Sequence, residues 1–397
     1  MRTLSIQIDS LIIRTLEETL VQAAKEFPAV GITGPRQSGK TTLVRMAFPD
    51  KEYVTLEDLE TRQLAERDPK GFLKRYPVGA ILDEIQRVPH LFSYLQGVLD
   101  DSRETGQFIL TGSQQFGLIS GVTQSLAGRI AMLTLLPFSL EELKNTGRTT
   151  RNLDQLLFQG LYPPLYDRVS DFRLWFQSYT TTYVERDVRL LTNVRDLSTF
   201  FRFVQLCAGR SAQLLNSSNL AADLGINHET ARSWISILEA SHIIHLLQPH
   251  HRNFNKRIIK SPKLYFHDTG LMCYFLGIET PEQLNVHQLR GAIFETWVVS
   301  EMLKHRLHRG RRNNLFFWRD RAGNEIDLLI DAGGRLMPVE VKLGETIASD
   351  FDKGLNRWLN YAGNEAGPAR LVYGGDRSLS NSGMQYVAWR ELPGYAG

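Results

Sequence analysis

The stretch Gly34, Pro35, Arg36, Gln37, Ser38, Gly39, Lys40, Thr41 and Thr42 has the residue types and spacing to hold a chain of phosphates. Glycines occupy its first and sixth positions, Lys40 the seventh and Thr41 the eighth, the spacing of a P-loop. The glycines let backbone N–H groups curl around phosphate oxygens, and the following helix N-terminus adds partial positive charge. Lys40 is expected to reach the β and γ phosphates, and the Thr41 hydroxyl to ligate magnesium. The apolar run 29–33 before the loop and a helical run after it supply the context the motif requires.

The run 79–84 is an apolar strand ending in Asp83 and Glu84. Asp83 is expected to hold magnesium through water, and Glu84 to polarise the water that attacks the γ-phosphate. A third run, 107–111, ends in polar residues. Thr111 or Ser113 would sense the γ-phosphate beside Glu84, or simply form a polar turn. Arg129 is the candidate arginine for neutralising transition-state charge, from within the chain or from a neighbouring subunit. The expected catalytic set of this region is therefore Lys40, Glu84 and Arg129. No guanine-reading Asn-Lys-x-Asp element is present, so ATP with Mg2+ is the expected cofactor pair.

A second constellation is Glu295, Asp327, Glu340 and Lys342. Glu295 lies in LRGAIFETWVVSEML, whose apolar residues recur at helical spacing. Asp327 lies in NEIDLLI, a hairpin-like strand, and the turn at 331–334 leads to Pro338, Val339, Glu340, Val341 and Lys342. Two residues apart on a strand, Glu340 and Lys342 share a face. Around this set, residues 304–321 hold seven Lys/Arg and one Asp, a net of +6, interrupted by Phe316, Phe317 and Trp318. Residues 250–263 hold Arg252, Lys256, Arg257, Lys260 and Lys263 and no acid, a net of +5. Such runs contact phosphates, or are simply solvated faces.

The elements that must position these residues fall into three units. A chain of 397 residues exceeds one ordinary core. Residues 1–150 alternate apolar runs (29–33, 53–56, 79–82, 107–111 and 130–136) with helical stretches, an α/β pattern with a mostly parallel sheet. Residues 151–260 read as helical. In 198–250 three helices form a helix-turn-helix that runs into a wing strand, with His228, Glu229, Thr230, Arg232 and Ser233 on the third helix. That helix is not strongly basic, so the unit reads equally as a packing module. His242 and His245 share a helix face and read as packing residues. In 261–397 strands return around one strong helix at roughly 290–307.

Net charge is only +3, with 42% hydrophobic and 22% charged residues, so the whole molecule is not electrostatically committed to nucleic acid or membrane. Cys207 and Cys273 make no disulfide framework. The first 20 residues lack a signal-peptide apolar core, and no run approaches the length that spans a bilayer. A reducing cytoplasm is the expected location, with no membrane partner.

The runs GPRQSGKTTL, ILDEIQRVP, ILTGSQQF and SLAGRIAMLTLLPFSLEE resemble a large prokaryotic family of AAA-type ATPases whose members carry a characteristic C-terminal domain. The resemblance continues through TTYVERDVRLL, SPKLYFHDTGLMCYFLG and RGAIFETWVVSE to NEIDLLI and VEVK, covering nearly the whole chain in order. It implies an AAA-like fold and self-association into a homo-oligomer. The C-terminal set in turn resembles the restriction-endonuclease-like fold, including archaeal Holliday-junction resolvases. That resemblance implies that Asp327 and Glu340 bind magnesium, that Lys342 positions or activates water, and that Glu295 completes the shell. Ile326 stands where that pattern has proline. The expectation is an AAA-type motor or switch acting on nucleic acid, DNA favoured, through a metal-dependent nuclease-like domain. The alternative is a nucleotide-dependent regulator whose C-terminal domain binds DNA or a partner without cutting.

Overall fold

The computed structural model describes residues 12–102, 104–113, 125–150, 152–167, 169, 171–184, 196–250, 260–381 and 383–395. Arg252, Lys256 and Arg257 of the second basic run, and residues 185–191 of the family resemblance, lie outside them.

Five parallel strands carry the N-terminal unit: β1 (Ala29–Thr33), β2 (Tyr53–Thr55), β3 (Ala80–Asp83), β4 (Phe108–Gly112) and β5 (Ile130–Thr134). Their order is β2-β3-β4-β1-β5. β1, β3 and β4 are buried along their whole length, as a sheet covered on both faces demands. Successive side chains alternate between the faces. Val30, Ile32, Ile81 and Ile109 meet Leu16 and Leu20 of the helix Leu16–Glu26, with Leu43 and Val44 of the helix Lys40–Ala47. Ala29, Leu82 and Leu110 meet Phe72, Phe92 and Leu95 on the other side. In register, Thr33 pairs with Gly112 and Thr134, while Leu82 pairs with Leu110. The loops leaving β1, β3 and β4 thus open on one edge, where open α/β sheets bind ligands.

The middle unit has helices Leu197–Gly209, Ser217–Leu224 and His228–Ala240, capped at their N-termini by Asp196, Asn216 and Asn227. Three short strands accompany them, β6 (Gln213–Leu214) after the first helix and β7 (Ile244–Leu247) and β8 (Lys263–Phe266) after the third, antiparallel in the order β6-β8-β7.

The last unit is a six-stranded mixed sheet of β9 (Leu315–Arg319), β10 (Glu325–Asp331), β11 (Leu336–Lys342), β12 (Ala369–Tyr373), β13 (Leu379–Asn381) and β14 (Met384–Ala388), ordered β13-β14-β12-β11-β10-β9. Its Leu328, Ile330, Val339 and Val341 pack on Phe294, Trp297 and Val298 of the helix Arg290–Leu307. Leu329, Leu336 and Leu371 face Leu355 and Trp358 of the helix Lys353–Ala362. Between Ile326 and Leu329 the β9–β10 register slips. A bulge of this kind re-aims one side chain, here Asp327.

A buried polar knot joins the first and last units. Arg14 Nε donates to Glu142 Oε1 at 3.1 Å, its Nη1 to the Ser38 carbonyl at 2.6 Å and its Nη2 to the Leu136 carbonyl at 2.7 Å. Glu142 also accepts from the backbone N–H groups of Thr15 and Ser139, at 2.8 and 2.9 Å. From the long helix Arg290–Leu307 and the residue after it, Glu301 accepts from Leu140 N, Lys304 donates to Phe138 O, and His308 Nε2 accepts from Leu136 N. Burial alone would raise the Glu142 carboxyl, but Arg14 and the backbone donors outweigh it and hold the carboxyl at about 2.

The depressed value has a sign consequence. Stabilisation by Glu142 is fully present above its ordinary value of 4.5 and is lost as pH falls toward about 2. At pH 7 it corresponds to about 3 kcal/mol. Glu142→Gln should lower the urea-unfolding free energy by about that amount at pH 7. The gap from wild type should shrink as the melts are moved from pH 5 to pH 3; a gap that stays constant contradicts the assignment.

Candidate functional site

The loop after β1 is shaped by backbone conformations that few residues accept. Gly34 has φ 150°, and a Cβ there would sit 2.0 Å from the Leu135 carbonyl oxygen. Gly39 has φ 93° and starts the helix Lys40–Ala47 without a side-chain cap. The first N–H groups of that helix therefore point outward for a ligand. Gln37 adopts φ 59°, a left-handed turn within the loop. Lys40 Nζ donates to the Gly34 and Pro35 carbonyls, each at 2.8 Å, curling back over the loop. The Ser38 hydroxyl is buried and has no hydrogen-bond partner among the described residues, a position that asks for an acceptor from outside the chain.

A cavity of about 790 Å³ opens over this loop. Arg36, Gln37, Gly39, Lys40, Thr41, Thr42, Asp83 and Glu84 line it together with Phe138, Arg148, Pro163 and Tyr166. Pro35 contributes its carbonyl to Lys40.

The acids lie at the end of β3. Thr41 Oγ1 donates to Asp83 Oδ1 at 3.1 Å, Tyr53 OH donates to Asp83 Oδ2 at 2.7 Å, and Thr111 Oγ1 donates to Asp83 Oδ1. Burial, together with Asp83, pushes the Tyr53 phenol up, so it stays a donor. The Thr41 hydroxyl beside the Asp83 carboxylate is an oxygen pair that fits magnesium. Glu84 sits at φ 56°, a sharp turn straight after the strand. Ser113 Oγ donates to Glu84 Oε2 at 3.0 Å and Gln86 Nε2 bonds the same oxygen, so the carboxylate is aimed from two sides. Thr111 and Ser113 thus each touch an acid, Thr111 on Asp83 and Ser113 on Glu84. Tyr53 and Gln86 had no local signal in the sequence: what brings them in is the pairing of β2 with β3 and the turn at Glu84.

The expectation that Arg129 serves this site from within its own chain is corrected. Arg129 immediately precedes β5, whose Ile130 pairs with Ala29, whereas the phosphate loop follows Thr33. Parallel pairing puts the two at opposite ends of the sheet, about 20 Å apart along the strand. Arg129 is instead bound to Asp100 through both Nε and Nη2.

The second constellation is also gathered, with additions. Asp327 Oδ2 accepts from Val341 N at 2.9 Å, and Lys342 Nζ donates to Glu340 Oε1 at 2.7 Å. Glu340 Oε2 is buried without a hydrogen-bond partner among the described residues. Tyr265 OH donates to Glu295 Oε1 at 2.6 Å. Lys263, at the start of β8, reaches in from the middle unit: its Nζ lies 3.0 Å from Glu295 Oε1 and 3.8 Å from Asp327 Oδ1, and it pairs with Glu325. Burial and the neighbouring Asp327 push the Glu295 and Glu340 carboxyls up from their ordinary value. Burial opposes the charge on Lys263, and the carboxylates of Glu295, Asp327 and Glu325 outweigh it. The side chains as arranged do not fit the divalent ion expected on Asp327 and Glu340. An ammonium stands among the carboxylates, and among the described residues no three His, Cys, Asp or Glu side chains are placed to hold a metal.

Three of the seven cations in the basic run 304–321 are engaged by acids of the same molecule. Lys304 is buried against Glu301 and Phe138, Arg309 pairs with Glu141, and Arg319 pairs with Glu325. Phe317 and Trp318 are core residues. Arg311, Arg312 and Arg321 remain exposed, as do His228, Glu229, Arg232 and Ser233 of the third middle helix, with Thr230 half-buried. His242 is buried and its Nε2 lies 3.1 Å from Thr33 Oγ1, directly before the phosphate loop. Among the described residues no helix is long and apolar enough to cross a membrane.

Comparison with known proteins accounts for most of the chain. Residues 26–144 match the AAA domain, residues 150–282 a domain of unknown function (DUF8612), and residues 290–392 a domain of unknown function (DUF4143). Among solved structures, the chain is similar to the Walker-type ATPase PABY2304 of Pyrococcus abyssi, with 13% identity, a TM-score of 0.46 and coverage of 68% of this chain and 97% of that one. It is also similar to the STAND protein PH0952 of Pyrococcus horikoshii, with 13% identity, a TM-score of 0.29 and coverage of 76% and 49%. Uncharacterized protein Rv2008c of Mycobacterium tuberculosis and uncharacterized protein Mb2031c of Mycobacterium bovis are each 30% identical over 332 residues, spanning 82% of this chain and 73% of theirs. The chain belongs to the family of these two mycobacterial proteins, a prokaryotic P-loop ATPase family built on an AAA domain.

Proposed function

We propose that this protein is an ATP-hydrolysing switch that engages nucleic acid, DNA in particular, through its middle and C-terminal units. The observation that carries the reading is the cavity's shared lining: the phosphate loop with Asp83 and Glu84 contributes to it, and so do Phe138, Arg148, Pro163 and Tyr166. A nucleotide held there touches both the core and the segment leading to the rest of the chain.

In this reading the backbone of 34–39 and Lys40 hold the phosphates, and Thr41 and Asp83 hold magnesium. When bound, the metal neutralises phosphate charge. Glu84, aimed by Ser113 and Gln86, orients the attacking water and takes its proton as the new P–O bond forms and ADP leaves. The outcome is passed on through Arg14, which grips the Ser38 carbonyl and Glu142 together. From there Leu136, Phe138 and Leu140 connect to His308, Lys304 and Glu301.

Support for a nucleic-acid partner comes from the last two units. Three capped helices, with a short strand after the first and two more after the third joined in a small antiparallel sheet, fit a winged helix, with His228 and Arg232 exposed on its third helix. A mixed sheet with Asp327 in a bulge and Glu340 and Lys342 on the adjoining strand fits a restriction-endonuclease-like domain. Whether contact ends in cleavage depends on a divalent ion reaching Asp327 and Glu340, with the Lys263 ammonium 3.8 Å from Asp327 and Lys342 on Glu340; this arrangement favours binding without cleavage. Arg129, at the far edge of its own sheet, would serve only a neighbouring copy, which makes self-association part of this reading.

Lys40→Ala should abolish ATP binding measured by fluorescent-nucleotide titration, while Glu84→Gln should keep binding and lower kcat about 10²- to 10⁴-fold. Wild-type turnover in either variant removes the assignment. For the partner, a labelled duplex followed by anisotropy should bind, and Arg311→Ala and Arg312→Ala should each weaken it and reduce the salt slope by about 1. Duplex, branched and single-stranded DNA should also come through incubation with Mg2+ and ATP uncut. No measurable binding to any of them overturns the nucleic-acid reading and leaves the ATPase assignment standing.

A further inference from the structure

We propose that Lys263 is the resident cation of the C-terminal acidic cluster, standing where a divalent metal would otherwise bind and keeping the domain from loading one. The inference takes the endonuclease-like reading above only for the kind of ion displaced, and concerns the cluster's own chemistry.

Four carboxylates converge here: Glu295 from the long helix, Glu325 and Asp327 from β10, and Glu340 from β11. Their burial makes an uncompensated set untenable, because isolated charges lose their hydration without replacement. Carboxylate clusters of this kind are neutralised by a bound metal, by protons or by a cationic side chain. Lys263 meets the third description. It is only 2% exposed, and its Nζ contacts Glu295 and Glu325 and lies within 3.8 Å of Asp327, three of the four acids. Lys342 takes the fourth, through Glu340 Oε1, and Arg319 adds a second partner to Glu325.

The origin of Lys263 matters as much as its position. It belongs to β8, in the antiparallel sheet of the middle unit, and not to the six-stranded sheet that carries three of the acids. Two residues on, on the same side of that strand, Tyr265 donates to Glu295. One side of a single strand of the middle unit therefore inserts both a cation and a hydroxyl into the cluster. The Lys263 ammonium also lies 5.8 Å from the centre of the Phe317 ring, a further contact favouring its charge. An ion coordinated at about 2.1 Å by Asp327 Oδ1 would meet this ammonium, 3.8 Å from the same oxygen, at close range and with like charge.

The test is Mn2+ binding to the full-length, nucleotide-free protein, followed by calorimetry and by water-proton relaxation. Comparing wild type with Asp327→Asn isolates the cluster from metal held at the phosphate loop. The two should bind Mn2+ identically. Lys263→Met should gain one Mn2+ site at least tenfold tighter than anything Asp327-dependent in wild type, and Lys263→Met combined with Asp327→Asn should lose it. A wild-type Mn2+ site that disappears in Asp327→Asn overturns the proposal, as does a folded Lys263→Met protein that gains none. Should Lys263→Met fail to fold, the comparison of wild type with Asp327→Asn decides alone. Because the readout is the metal, failure to bind DNA leaves this result unaffected, and a positive metal result in wild type leaves the DNA reading to its own assay.

Discussion

The buried pair of Arg14 and Glu142 is the contact on which the arrangement of the molecule depends. One guanidinium holds the carbonyl of a phosphate-loop residue, the carbonyl of Leu136 beyond β5 and the carboxylate of Glu142. That carboxylate in turn caps the helix Leu140–Lys144 and accepts from Thr15 at the chain's N-terminal side. A buried pair is weak evidence of net stability, but removing one partner strands the other. Its use here is to set the relative positions of segments far apart in sequence. The shape of the phosphate loop and the seat of the C-terminal helix are read from the same side chain.

The two polar centres answer the same electrostatic problem differently. At the nucleotide site the acids are aligned by neutral donors: Thr41, Tyr53 and Thr111 on Asp83, Ser113 and Gln86 on Glu84. Hydroxyl and amide donors orient a carboxylate without cancelling its charge, which leaves it able to attract a metal or a proton. In the C-terminal cluster the acids are met by ammonium groups, and charge is cancelled on the spot. The first arrangement suits turnover. The second suits a fixed joint between units, since Lys263 is delivered by the middle sheet and Glu295 by the long helix that runs back to the ATPase core.

The long helix Arg290–Leu307 spans these two regions. Its early turns present Glu295 to the cluster, and its last turns present Glu301 and Lys304 to the segment after β5. Over 18 residues a helix extends about 27 Å as a stiff body. Displacement at one end is therefore felt at the other with little loss to internal deformation, because the helix is packed along its length by Phe294, Trp297, Val298 and Met302.

Local pattern was enough for much of this protein. The P-loop spacing, the apolar strands ending in Asp83 and in Thr111, and the helix and strands holding Glu295, Asp327 and Glu340 all follow from short-range periodicity and the backbone freedom of glycine. These are properties a few neighbouring residues settle among themselves. Position in space was not legible in the same way. Arg129 lies close in sequence to the nucleotide strands, yet parallel pairing sends it to the opposite edge. The basic run 304–321 counted as a patch until Lys304, Arg309 and Arg319 found partners in other elements. Arg14, Tyr53 and Gln86 carried no local mark at all, and Lys263 only that of a basic run, because each acts on residues from another strand, helix or unit. Charge is neutralised through space and not along the chain, so only the tertiary structure decided which acids are met by neutral donors and which by a lysine.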